Sequence, residues 1–282
     1  MRIVIALCTG ALLLAVPAAG TVTLTGGCSG SGRVNSSYIS FDLANSGNDT
    51  AANMTVVPDF PGLSPYNSVE TVAALGPSNS TLLTFYFAAA PYPGGYAGAF
   101  FVTYMEGIQT FSATFPCSGM SVGHVAQSRV FVANVTRNPS GTIQALVLNP
   151  YASRMNVTVY PFLPLEFNVS PMNQTVSVPA LSRSYVTFNM SGRQAKDTSF
   201  SAGIGVSYVL NDTHYSMVSI FKLNYQPTLL GAVTPYVPYV IVGVAVLVIV
   251  ALVVASVVHS HGKKEDGKHE KTVHNDGNTN PQ

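Results

Sequence analysis

Hydrophobic positions in this chain alternate with polar ones over most of its length. From Ser37 to Ala44, Ile39, Phe41 and Leu43 share one face. Leu83, Phe85 and Phe87 repeat the pattern, and the stretch from Ala99 to Met105 is rich in β-forming residues. Further on, Val157 and Val159 alternate with Asn156 and Thr158, and Val186, Phe188 and Met190 alternate with Thr187 and Asn189. A period of two places such residues on opposite faces of a strand, with the apolar set facing a core. No stretch before residue 236 carries a helical period, so the pattern predicts an all-β region. Two apolar runs do not alternate, and they lie near the two ends of the chain.

The alternating region repeats itself. Asn45 begins a turn leading into Asn53-Met54-Thr55-Val56, and Asn149 begins one leading into Asn156-Val157-Thr158-Val159. The segment Val72-Ala73-Ala74-Leu75 precedes Thr84-Phe85 as Val178-Pro179-Ala180-Leu181 precedes Thr187-Phe188. Val102-Thr103-Tyr104 precedes a turn at Glu106-Gly107, and Val206-Ser207-Tyr208 precedes one at Asn211-Asp212. Offsets between 103 and 106, kept in chain order, predict two tandem domains, 21–123 and 124–229. Each has room for about seven strands, the size of an immunoglobulin-like β-sandwich.

The run from Phe41 to Val56, followed by Ala74-Leu75-Gly76-Pro77-Ser78, resembles the CARDB-type domains of cell-surface proteins, many of them archaeal. Those domains pair a strand ending in Asn-x-Gly with a later Leu-x-Pro-Gly turn and a Thr-rich strand. Here Gly76-Pro77 inverts the Pro-Gly order, and the second domain keeps only a skeleton in Asn149-Pro150 and Leu181-Ser182-Arg183. The resemblance implies an immunoglobulin-like sandwich serving adhesion or spacing. It carries no catalytic residue across.

The first unalternating run, Ile3 to Val16, follows Met1-Arg2 and precedes Pro17-Ala18-Ala19-Gly20. That order reads as a signal peptide over 1–20, cleaved after Ala18 or Gly20, with a short membrane anchor as the alternative. The second run ends at Val258 and is followed by His259, Lys263 and Lys264. It predicts a transmembrane helix over 239–258, after a linker at 230–238. Positive residues beyond the span place the tail, 259–282, in the cytoplasm. The expected location is therefore the plasma membrane, type I and single-pass, with the N-terminus outside.

Composition sharpens this picture. Only 9% of the chain is charged, against roughly 25% in an ordinary soluble protein. The 215 residues between the apolar runs hold eight acids and eight bases, so no field suggests a nucleic-acid partner. Ten of the 15 asparagines in 21–235 head an Asn-x-Ser/Thr sequon: Asn35, Asn48, Asn53, Asn79, Asn134, Asn156, Asn168, Asn173, Asn189 and Asn211. Chance predicts about three, so the excess points to use by an N-glycosylation system. Cys28 and Cys117 are the two cysteines of the expected external region. Outside a membrane they most simply form one disulfide, with two buried thiols as the alternative.

Catalytic patterns are sparse. No two external carboxylates lie within five positions of each other, and no Cys/His spacing predicts a metal site or a cofactor. Gly119-Met120-Ser121-Val122-Gly123 fits Gly-x-Ser-x-Gly, with His214 and Asp197 or Asp212 downstream as formal partners. That motif works on a strand-to-helix elbow, and helices are not expected here, so it reads as a linker between the domains. His259, His261, His269 and His274 fall in the charged tail and read as solvated. The loop Pro91-Tyr92-Pro93-Gly94-Gly95-Tyr96 offers Tyr92 and Tyr96 as a contact surface, or as cover for their own domain. The expectation is a non-enzymatic surface glycoprotein that is structural, adhesive or envelope-anchoring. Its partners are the membrane and other surface proteins, and its oligomeric state is open. The alternative is a scaffold subunit of a membrane complex for translocation, glycosylation or respiration.

Overall fold

The computed structural model describes residues 21–124, 126–138, 141–192 and 199–224, with helical positions at 246, 248–250, 252 and 253. The expected leader, linker and tail, and most of the expected span, lie outside the described residues. Contacts divide the chain into one unit from Met1 to Gln226 and another from Pro227 to Gln282. In the second unit the described residues are helical and exposed. Among the described residues no helix is long and apolar enough to cross a membrane.

The first unit is β throughout its described residues. Its first half carries β1 (Leu24–Arg33), β2 (Ser36–Asn45), β3 (Ala51–Asp59), β4 (Glu70–Leu75), β5 (Ser80–Phe87), β6 (Gly94–Glu106) and β7 (Gln109–Val122). The second half carries β8 (Phe131–Asn138), β9 (Thr142–Asn149), β10 (Met155–Phe162), β11 (Phe167–Ser170), β12 (Gln174–Val178), β13 (Ser182–Gly192), β14 (Ser199–Leu210) and β15 (Thr213–Asn224). The alternation explains each strand's faces. In β2, Ile39, Phe41 and Leu43 are buried while Tyr38 and Asp42 face water. In β9, Ile143, Ala145 and Val147 are buried in the same rhythm.

The pairings repeat with the sequence. In the first half, β1-β2-β5 form one layer and β4-β3-β6-β7 the other. In the second, β8-β9-β13 and β12-β10-β14-β15 match them strand for strand, and β11 is added beside β13. Register follows too: Tyr104 faces Phe111 across one hairpin, and Tyr208 faces Tyr215 across its counterpart. The layers form a sandwich-like, immunoglobulin-like arrangement around two cores. Phe41, Phe60, Phe85 and Phe100 sit in the first, where Phe41 stacks on Phe100 with centroids 4.3 Å apart. Val147, Val157, Val186, Phe188 and Ile204 sit in the second.

Two buried asparagines carry the repeat to the level of single atoms. Asn45 Nδ2 donates to the carbonyls of Asp49 (2.7 Å) and Leu75 (2.9 Å), and its Oδ1 accepts from the Gly47 amide (3.0 Å). Asn149 Nδ2 donates to Ser153 (2.9 Å), Val178 (3.1 Å) and Pro179 (2.9 Å), and its Oδ1 accepts from Tyr151 (3.0 Å). In each half the side chain ties the turn after one strand to the end of another. It satisfies backbone groups that burial would otherwise leave unpaired. The turn before β5 holds Ser78 at φ 60°, and the turn before β13 holds Leu181 at φ 47°. The left-handed residue therefore follows Pro77 directly, in the slot that a Pro-Gly turn gives to glycine.

Candidate functional surface

All ten sequon asparagines are exposed. The strand pattern places several of them. Asn156 alternates with buried Met155 and Val157, and Asn189 with buried Phe188 and Met190. Asn211 occupies, with Asp212, the two-residue turn between β14 and β15, both at positive φ (50° and 54°). That is a type I′ hairpin turn, for which Asn and Asp are suited. Asn53, at φ 48°, lies where the β3–β6 register shifts between Ala52 and Thr55. By contrast, Asn45 and Asn149 head no sequon and are buried, at 1% and 2% exposure. The asparagines that could carry sugar thus differ in exposure from the two that hold the fold, although sequon residue Asn79 accepts a hydrogen bond from the Asn45 amide at its backbone carbonyl.

Cys28 in β1 and Cys117 in β7 form a disulfide spanning 89 positions, with Cα atoms 6.0 Å apart. Just beyond it, β1 runs parallel to β7, with Gly30 opposite Met120 and Gly32 opposite Val122. The disulfide and this short pairing join the two layers of the first half at one edge.

The tyrosine loop divides between the two readings given for it, contact surface and cover. Tyr92 is 37% exposed, but Tyr96 is 1% exposed. The Tyr96 ring stacks on His214 at 4.0 Å and 10°, and its hydroxyl donates to the Tyr92 carbonyl at 2.8 Å. Tyr96 therefore cannot serve as an exposed contact residue. The reason is a seam between the halves, where β6 meets β15 with Gly94 opposite His214. His214 Nδ1 donates to the Gly95 carbonyl at 2.8 Å, and the His214 amide donates to Pro93 at 2.9 Å. Gly94, at φ 140°, lies so close to the His214 carbonyl that a β-carbon would collide with it. Ala97, Ala99, Phe162 and Val218 pack into a small core of their own along the seam. The Ser112 hydroxyl donates to the Glu166 carboxylate, adding a polar tie. Burial pushes His214 below the ordinary histidine value of 6.5, while its bond to Gly95 opposes the shift. None of this was visible in local sequence, because the seam's hydrogen-bonded partners, such as His214 and Gly95, stand 119 positions apart.

The nucleophile-like motif is likewise placed by the strands. Residues 119–122 end β7, so the segment is strand rather than linker, and Ser121 lies opposite Gly95. His214 Nδ1 is engaged with a backbone carbonyl, Asp212 is exposed in its turn, and Asp197 lies outside the described residues. Among the described residues no group of three His, Cys, Asp or Glu side chains could hold a metal ion. Next to His214 in the β14–β15 pairing, Tyr208 lies opposite Tyr215 and shares a hydroxyl contact of 3.2 Å with Tyr151. Burial, and then the Tyr208 hydroxyl, push Tyr151 up to about 12.

No protein-family model matches the chain, and no curated protein does. Among solved structures, the chain is similar to the trypsin-activated alpha-2-macroglobulin of Escherichia coli at 10% identity, with a TM-score of 0.29. The likeness covers 73% of this chain and 18% of that one, so the chain spans less than a fifth of that protein's length. At that level it carries no argument about function.

Proposed function

We propose that this chain is an N-glycosylated, single-pass surface protein. Its β region stands outside the cell as two tandem immunoglobulin-like sandwiches of the kind the CARDB resemblance implies. Its role is structural, adhesive or envelope-anchoring, and it has no catalytic centre. The observation that carries this reading is the division of the asparagines: ten sequon side chains exposed, and two buried ones outside any sequon holding turns. Exposure leaves all ten side chains open to a glycosylating enzyme, which use of the sequons requires. The apolar run ending at Val258, with its basic flank, supplies the anchor, and the leader supplies export. The disulfide fits an oxidising compartment. Intact-mass measurement of the membrane-extracted protein before and after deglycosylation tests the proposal. The expected result is a mature mass well above that of the polypeptide, minus its leader. A mass equal to that of the bare polypeptide overturns the glycoprotein reading. Recovery in the envelope fraction supports the surface role, whereas stoichiometric co-purification with a membrane complex supports a scaffold subunit instead.

A further inference from the structure

The outer face of the β11-β13-β9-β8 sheet combines apolar surface with three sequons. On β13, Tyr185 is 60% exposed, and on β8, Phe131 is 38% exposed. Between them on β9 lie Leu148, opposite Phe131 and Arg183, and Leu146, opposite Tyr185. Both leucines are only half-buried. Asn134 faces Leu146 from the other side, so one row across three strands reads Tyr185, Leu146, Asn134.

Asn134 reaches this row through a bulge. The β8–β9 register shifts between Val132 and Asn134, leaving Ala133 as the extra residue. Val132 points inward and is buried. Under strict alternation Asn134 would point inward as well; the bulge turns it out. Re-aiming one side chain is what a single-residue bulge does.

We propose that the glycan on Asn134 folds back across Leu146 onto the ring of Tyr185 and covers this apolar face. The inference rests on the glycoprotein reading above. Its chemistry follows from the row. Asn134 and Tyr185 are two strand spacings apart, about 10 Å, within reach of the first two sugar rings of a glycan stem. Pyranose rings carry a face of C–H groups that packs on an aromatic ring while their hydroxyls stay in water. A tyrosine, apolar in its ring and polar at its tip, suits that arrangement. Gln144 and Thr187 share a row with Thr136 on the same face and offer hydrogen-bond partners at its margin. Arg183 is the one charged side chain in the two apolar rows, so the face offers little to a charged protein partner. Asn168 and Asn189 project from the same face, and a docking protein would have to clear their glycans too. The covalent tether holds the sugar beside its site at high effective concentration, so a weak contact suffices.

The test uses the full chain from an N-glycosylating host, with site occupancy read by glycopeptide mass spectrometry. Asn134→Gln, Tyr185→Ser and the double variant are compared, with Asn156→Gln on the opposite sheet as control. Asn134→Gln is expected to lower the thermal midpoint by roughly 2–4 °C and to raise binding of a hydrophobic dye. Tyr185→Ser is expected to cost as much alone and almost nothing in the Asn134→Gln background, while the control changes neither readout. Enzymatic deglycosylation of the already folded protein gives the same comparison without relying on variants that fold poorly: dye binding rises, and Tyr185→Ser loses its effect. Strictly additive effects with Asn134 occupied overturn the contact. An unoccupied Asn134 beside other occupied sequons overturns it and leaves the glycoprotein reading standing. Absence of sugar at every sequon overturns both.

Discussion

Single residues in this fold answer to backbone geometry before they answer to function. Leu181 sits at φ 47° with its side chain 74% exposed, so it carries the strain of a left-handed residue without the compensation of burial. The hydrogen bond that its N–H donates to the Tyr151 carbonyl, 2.9 Å, does not depend on the side chain. Leu181→Gly is therefore expected to stabilise the protein by about 1 kcal/mol, read as a rise in the chemical-denaturation midpoint with unchanged slope. Asn149 is the opposite case. It is 2% exposed and hydrogen-bonds four backbone groups, and truncation strands them in the core. Asn149→Ala is expected to cost about 2–4 kcal/mol by the same measurement. Asn156→Ala, on an exposed position, is expected to cost under about 0.5 kcal/mol in chain produced without glycosylation. These asparagines were separable in sequence only in part. The sequon pattern marked Asn156, and the repeat marked Asn149 as a turn, but the hydrogen-bond set of Asn149 closes on carbonyls 29 and 30 positions away.

At the scale of elements, alternation was a sufficient guide to which residues face the cores. It failed where register changes. The bulge in β8 exposes Asn134 and leaves no mark in the hydrophobic pattern, whereas Asn53 faces out beside buried Met54 as alternation implies. The clearest elemental feature is the tie between β1 and β7. Only three residue pairs join these strands in parallel, so the Cys28–Cys117 disulfide carries much of the constraint there. Replacing both cysteines by serine closes no loop in the unfolded chain and is expected to lower stability by roughly 4–5 kcal/mol on the loop-entropy account. Denaturant melts of oxidised, reduced and double-serine chain measure it. A loss near zero would show that the β1–β7 edge is held by packing alone.

Across the first unit as a whole, the two halves share a continuous sheet through β6 and β15 and a small apolar seam. His214 sits in that seam, and burial lowers its proton affinity, so the folded state holds it neutral where the unfolded chain begins to protonate. The unfolded state then binds more protons than the folded state below pH 6.5, and stability falls as pH drops through that window. Thermal melts between pH 8 and 5 are expected to show a plateau above 6.5 and a decline below it. His214→Gln is expected to flatten the decline while lowering the plateau, because the Tyr96 stack is lost.

By itself, the sequence determined the β class, the repeat, the inward-facing residues of most strands and the pair of cysteines that cross-link. The β class and the facing are written in short-range periodicity, the repeat in near-constant offsets of 103 to 106, and the cross-link in cysteines too few to pair otherwise. The low charge and the density of sequons were also legible there. Tertiary structure alone decided that Tyr96 is buried, that His214 locks the two halves, and that Asn134 turns outward beside Leu146 and Tyr185. Those outcomes depend on strand register, as at Asn134 and Tyr185 beside Leu146, and on contacts between distant segments, as at His214 and Gly95, 119 positions apart. A register change of one residue reverses which face a side chain takes, and no local pattern encodes it.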